Sequence, residues 1–343
     1  MSVDAASAAG TGPVIAQGVD DEPMAPNQRD PRAGTGVLIA VLCAAYTLFH
    51  LFVMVVYPLE TWTYRMMHVC GGLIIGFLTY SALTQRSNDA TAPARRGMAE
   101  LALLGVAALG VGYGLAVIAY AWGAWWLAGV AMPPAFGFRT YGLPLAIGTG
   151  AAIVAGWLYS SRDRGRIYPG DLILCLASIA VLGYILFVVG ALRMRAGTAM
   201  AQPGDLWAAV TGVMLILELT RRLTGLALVI IVAVFIGYSF LGPWLPGFLN
   251  HRGYTATRFF TYIFTDQGIL GDPIAVSSTY IILFIVFAAF LQASKVGDYF
   301  VNFAFACAGQ ARGGPAKVAV FASGLMGMIN GTSAGNVVAT GSL

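Results

Sequence analysis

Residues 313–343 read GGPAKVAVFASGLMGMINGTSAGNVVATGSL, and this stretch decides the fold class. Gly313, Gly314 and Pro315 open it, and proline suits a first helical turn, where its missing N–H costs nothing. Ala316 to Ile329 follow as good membrane-helix material, roughly fourteen residues, about half of a bilayer crossing. Asn330-Gly331-Thr332-Ser333-Ala334-Gly335-Asn336 then gathers small and polar side chains in an apolar setting. Lipid offers no hydrogen bonds, so backbone that unwinds at membrane depth must be buried in protein or line a cavity. A half-helix, a polar tip and a second apolar piece from Val337 onward therefore predict a re-entrant hairpin. In secondary transporters, interrupted helices of this kind hold coupling ions with freed carbonyls and hydroxyls, and anionic substrates at helix N-termini.

Composition agrees with a bilayer setting. Of 343 residues, 58% are hydrophobic and only 10% charged, more apolar surface than a soluble chain of this size hides. Several apolar runs of about 18 residues or more predict an all-α polytopic integral membrane protein with about eight transmembrane helices before the hairpin. The ten-residue alternation of barrel strands is absent from the sequence. The net charge of +4 reports orientation rather than nucleic-acid binding, because the basic residues fall in short loops. Cys43, Cys70, Cys175 and Cys307 lie in apolar runs without metal-ligand spacing and read as small buried hydrophobes. No cofactor motif is present.

Taken in order, residues 1–33 carry no apolar period and read as a disordered cytoplasmic tail. Spans are expected at about Gly36–Tyr57, Tyr64–Leu83, Met98–Met132, Tyr141–Ser160, Pro169–Leu192, Asp205–Thr220, Leu223–Leu241 and Pro273–Gln292. The Trp122–Trp126 cluster reads as an interfacial belt, Gly242–Asp272 as a loop long enough for a surface-lying helix, and Ala293–Arg312 as amphipathic. Arg86, Arg95, Arg96, Arg162, Arg164, Arg166, Arg221 and Arg222 fall on one side, with Arg193 and Arg195 the chief exceptions. That excess places the N-terminus in the cytoplasm.

Few residues within the spans can carry chemistry. Glu218 stands three and four residues before Arg221 and Arg222, so the three can pair along one helix face. Either they form a structural ion pair that fixes the turn between two spans, or the acid serves a proton or ion relay. His50 and His68 have no acid at ligand spacing and read as packing or interface residues. In the hairpin, Asn330, Thr332, Ser333 and Asn336 offer side-chain oxygens suited to a hard monovalent cation, and Gly331 and Gly335 let the backbone bend. The same residues would also suit a helix interface where small side chains permit close packing. The half-length helices on both sides favour the site.

Several stretches resemble a known family. Gly313-Gly314-Pro315-Ala316-Lys317-Val318-Ala319-Val320, Gly331-Thr332-Ser333, Asn336-Val337-Val338 and Thr340-Gly341 resemble the first hairpin of the large membrane subunit of TRAP (tripartite ATP-independent periplasmic) transporters. The likeness is to the TAXI type, in which small and large membrane subunits are fused. Tyr64-Arg65-Met66-Met67-His68, Leu217-Glu218-Leu219-Thr220-Arg221-Arg222, Pro246-Gly247, His251-Arg252-Gly253-Tyr254 and Gly268-Ile269-Leu270-Gly271 agree with it. The resemblance covers about Thr63–Leu83 and Asp171–Leu343; residues 97–160 look like an extra pair of spans. Asn330 and Gly335 depart from it, standing where serine and alanine are expected.

The resemblance implies a permease of the bacterial inner membrane that imports a small organic acid or amino acid on a sodium gradient, by an elevator-like movement. It implies a periplasmic TAXI-type binding protein as partner, and Na+ as coupling ion with no other cofactor. Ser323, Asn330, Gly331, Thr332, Ser333, Asn336 and Thr340 would form the ion and substrate region, with Na+ at Asn330, Thr332 and Ser333. The expected layout is residues 34–222 as small-subunit-like helices, 223–312 as the start of the large subunit with its scaffold helices, and 313–343 as an incomplete hairpin. The chain is then expected to be the N-terminal part of a fused permease, its remaining partner being the C-terminal half. The competing readings are a non-transporting membrane scaffold or inactive fragment and, behind it, a membrane-embedded enzyme.

Overall fold

A computed structural model describes residues 27–31, 33–83, 97–129, 140–160, 165–198, 200–294 and 296–328. Among them every regular element is helical: α1 (Ala33–Val55), α2 (Thr61–Thr79), α3 (Met98–Ala128), α4 (Gly142–Tyr159), α5 (Pro169–Arg195), α6 (Pro203–Thr224), α7 (Leu226–Leu241) and α8 (Ala256–Ile263). Then follow α9 (Asp272–Val276), a π-helical turn (Ser277–Ile281), α10 (Ile282–Ala293), α11 (Val296–Ala308) and α12 (Gly314–Gly327). Six stretches of the described residues are helices long and apolar enough to cross a membrane: Gly34–Val55, Met98–Ala128, Gly142–Tyr159, Pro169–Arg195, Leu226–Trp244 and Asp272–Leu291. The two other expected spans form α2 and α6, which are of similar length but carry Arg65 and His68, and Asp205, Glu218, Arg221 and Arg222. The chain is a multi-span helical membrane protein.

Local chemistry sets the helix ends. The Glu60 carboxylate accepts from the backbone N–H groups of Trp62 and Thr63, both at 2.9 Å, and so caps α2. Pro169 and Pro203 stand at the first turns of α5 and α6, each followed by an aspartate near the positive helix end and arginines in the last turn. Gln202 and Asp205 close a reciprocal capping box. Gly225, at φ +83°, makes the one-residue break between α6 and α7, a backbone shape that residues with a Cβ rarely adopt.

The described residues fall into two compact units, one ending at Ile282 and the other starting at Leu283. In the first, α2 to α6 surround a core that includes Phe77, Tyr141, Leu145, Leu174 and Tyr184, all fully buried. Residues 223–282 pack in the same unit as 34–222, so packing does not divide the chain at residue 222. One cause is Phe264, just beyond α8, which is buried and lies so close to Gly212 of α6 that an added Cβ would meet its ring at 2.4 Å. The helix α7 has no buried residue; its Ile230, Ile231, Val234 and Phe235 are exposed, as a lipid-facing helix requires. Trp125 and Trp126 are likewise exposed, but Trp122 turns inward and its ring N–H donates to the Gly183 carbonyl at 3.1 Å. Cys70 and Cys175 are buried as expected, whereas Cys307 is exposed.

The end of the expected tail is a correction. Asn27–Pro31 form a docked strap, because their polar groups find partners at the ends of three helices. The Arg29 N–H donates to the Thr79 carbonyl at 2.8 Å, and the Ser81 N–H to the Asn27 carbonyl at 2.9 Å. Asn27 Nδ2 donates to the Arg222 carbonyl at 2.7 Å, and Arg29 Nη1 to the Phe77 carbonyl at 2.7 Å.

In the second unit, α11 and α12 pack side by side. Ala304 of α11 and Val318 and Ala322 of α12 form their common core, and Met326 of α12 is also buried. Gly297 admits the Met326 methyl, which would lie 3.3 Å from an added Cβ.

Candidate functional site

The first arm of the expected hairpin falls on α12. Its fourteen residues give about 21 Å at 1.5 Å per residue, short of the hydrocarbon core of about 30 Å. Gly313 before it takes a left-handed φ of +75°, and Pro315 sits in its first turn. Ser323 lies half-buried on it. Ala316, Lys317, Val320, Phe321, Gly324 and Leu325 line an open, largely apolar groove of about 550 Å³ along the arm. The other expected ligands, Asn330, Gly331, Thr332, Ser333, Asn336 and Thr340, lie outside the described residues. The C-terminal end of α12, the partly negative end of a helix, comes shortly before that polar sequence along the chain.

The expected Glu218, Arg221 and Arg222 triad is brought together in the first unit. Glu218 Oε1 accepts from Arg222 Nε at 2.8 Å and from Arg221 Nη2 at 2.9 Å. Its Oε2 accepts from Arg221 Nε at 2.9 Å and from the Trp157 ring N–H of α4 at 2.8 Å. All four acceptor positions of the carboxylate are thus used. Arg222 reaches further, with Nη1 2.8 Å from Asp171 Oδ1 and donating to the Tyr80 carbonyl at 3.0 Å, and its guanidinium 4.9 Å from the centre of the Phe77 ring. Asp171 also pairs with Arg29 of the strap. Three arginines and two carboxylates therefore form one network, in which Arg29, Asp171, Glu218 and Arg222 are all buried. Burial draws the Arg29 pKa down from its ordinary value, and the Asp171 carboxylate works against that shift.

A second network sits at the other end of α5 and α6. Asp205 accepts from Arg195 Nε at 2.6 Å, Arg195 Nη2 at 2.7 Å and the Tyr184 hydroxyl at 2.8 Å. Tyr184 stacks on Tyr141, with ring centres 4.7 Å apart. These pairs hold the two ends of the bundle in register. Among the described residues no group of three or more His, Cys, Asp or Glu side chains could hold a metal ion.

One comparison bears on this architecture. A family profile, the Tripartite ATP-independent periplasmic transporter, DctM component, matches residues 211–343. Over these residues the chain is similar to the DctM component. No curated protein and no solved structure matches. The DctM segment contains Glu218, Arg221 and Arg222, the π turn and the whole of α12. Arg29, Trp157 and Asp171, which complete the first network, lie upstream of it. The profile describes a transporter component rather than an enzyme, and this similarity supports a membrane permease component of a TRAP transporter.

Sequence reasoning found the Glu218 triad from its spacing of three and four. It missed Arg29 and the part Asp171 plays in this network. It also left His50 and His68 apart, although α1 and α2 bring their rings together, with centres 5.1 Å apart.

Proposed function

We propose that the chain is a membrane permease component of a transporter that imports a small organic acid or amino acid on a sodium gradient, with a periplasmic TAXI-type binding protein delivering the substrate. Na+ sits at Asn330, Thr332 and Ser333; Ser323, Gly331, Asn336 and Thr340 complete the ion and substrate region, which an elevator-like movement carries across. The membrane is the bacterial inner membrane and the N-terminus is cytoplasmic, as the distribution of arginines requires. The observation that carries this reading is α12, a half-length helix inside the DctM segment whose negative end precedes the polar sequence. A helix C-terminus attracts a cation, and hydroxyl and amide oxygens can replace its water.

The test is the double variant Asn330→Ala, Ser333→Ala in the assembled transporter with its binding protein, reconstituted in proteoliposomes. Loss of two ligands to a charge is expected to reduce sodium-driven uptake about tenfold or more, with normal membrane insertion. Uptake and sodium dependence equal to the parent would assign these residues to helix packing instead.

A further inference from the structure

His50, His68 and Ser277 form a chain of polar groups at membrane depth that no role above uses. His50 of α1 is fully buried, and its Nδ1 lies 2.8 Å from the Tyr46 carbonyl. Its Nε2 lies 2.9 Å from Nδ1 of His68 on α2, whose Nε2 is 3.1 Å from the Ser277 hydroxyl. Ser277 opens the π turn, a helix irregularity found often at functional sites. Tyr64 of α2 donates to the carbonyl of the next residue, Ser278. The Tyr46 hydroxyl, 2.7 Å from His68 Nδ1, also has the His68 carbonyl at 2.9 Å as an acceptor.

The proton positions follow from what each atom can do. A carbonyl only accepts, so His50 Nδ1 carries a hydrogen in every state. In the neutral pair His50 Nε2 is then a bare acceptor, and His68 Nδ1 must donate to it. His68 Nε2 is left bare and accepts from the Ser277 hydroxyl. The neutral chain thus runs one way, from Ser277 through His68 and His50 to the Tyr46 carbonyl.

One added proton has two places to sit. On His68 it occupies Nε2; on His50 it occupies Nε2, the His68 Nδ1 hydrogen having moved to its Nε2. Both arrangements put a hydrogen on His68 Nε2, so Ser277 changes from donor to acceptor. A second proton would set N–H against N–H across 2.9 Å, which the geometry excludes.

We propose that His50 and His68 bind one shared proton from water, and that its arrival reverses the hydrogen bond between α2 and the π turn. The ligand is the proton itself, and the site is separate from the hairpin.

The surroundings leave the pair as the responsive element. The other titratable groups facing it are Tyr46 of α1 and Tyr64 and Cys70 of α2. Arg65 of α2 turns away to donate to the Leu270 carbonyl at 2.6 Å. In the segment packed against the pair, Asp272 and Tyr280 are exposed, and Ser277 and Ser278 carry no charge. Behind α2, the facing Ser178 and Val181 of α5 and Gly212 and Leu215 of α6 do not titrate.

The experiment is nitrogen-15 NMR of the whole chain in lipid bilayers between about pH 4 and 9, with histidine-only labelling for the rings and uniform labelling for the backbone amides. The sequence has three histidines, and His251 serves as the reference outside the cluster. His50 and His68 are expected to respond at a common pH with uptake of one proton, His50 Nδ1 staying protonated throughout. The amides of Ser277–Ile281 are expected to shift over the same range, and to lose that response in His68→Gln. In His50→Gln, His68 is expected to titrate alone at a changed pH. Uptake of two protons, no titration of either ring, or π-turn amides that ignore the titration would each overturn the proposal.

Discussion

Glu218→Gln is expected to destabilise the first unit by about 3–5 kcal/mol, the cost of removing one partner from a buried ionic network. The parent carboxylate accepts four hydrogen bonds, from Arg221, Arg222 and Trp157. Glutamine keeps the shape, but it replaces an acceptor oxygen with an NH2 group that must face donors. It also leaves three arginines against the single charge of Asp171, two of them buried. Unfolding in mixed detergent micelles measures the effect. The exposed pair Arg193–Glu60 gives the contrast: its side chains are 42% and 38% exposed, and Arg193 also lies over the Trp62 ring. Arg193→Gln is expected to cost no more than about 1.5 kcal/mol. Equal effects of the two substitutions would mean that water reaches the Glu218 network.

Gly110→Leu is the second large effect, expected at about 3 kcal/mol from overpacking. In lipid, helix association rests on close packing, and small residues let backbones approach. A Cβ built on Gly110 of α3 would lie 2.3 Å from the Pro144 carbonyl oxygen and 2.9 Å from the Gly148 Cα, both backbone atoms of α4. No rotamer relieves such a contact; the helices must separate. Gly112 lies two residues on, exposed, with nothing within 4 Å of a built Cβ. Gly112→Ala is therefore expected to be neutral or to stabilise by up to about 1 kcal/mol, through helix propensity. The same micelle unfolding assay compares the two. A mild Gly110→Leu would show that α3 and α4 can slide apart freely.

The contrast between those glycines shows what sequence carries and what it does not. Helix ends were legible because their causes are local: Pro169, Gly313 and the arginines at 221 and 222 punctuate the chain within a few residues. The Glu218 pairing was legible for the same reason, since residues three and four apart on a helix must meet. Gly110 and Gly112 look alike in sequence, and only the approach of α4 separates them. The His50–His68 contact depends on how α1 folds back on α2, and the Ser277 partner stands 209 residues beyond His68. Arg29 sat in a polar stretch that composition alone assigns to solvent; its burial is caused by Asp171, 142 residues away. The candidate ion site is expected from a pattern of oxygens and glycines, of which the described residues hold α12 and Ser323.

The strap has a bearing on the order in which the molecule is made. Asn27 and Arg29 are synthesised before the groups that hold them, which are added 142 residues on for Asp171 and 195 for the Arg222 carbonyl. At about 5–20 residues per second, that interval is roughly 10–40 seconds. Through it α1 enters the bilayer with a guanidinium whose carboxylate has not yet been synthesised. The strap is thus made well before the groups that fasten it, and the bundle's end closes only once α6 has been translated.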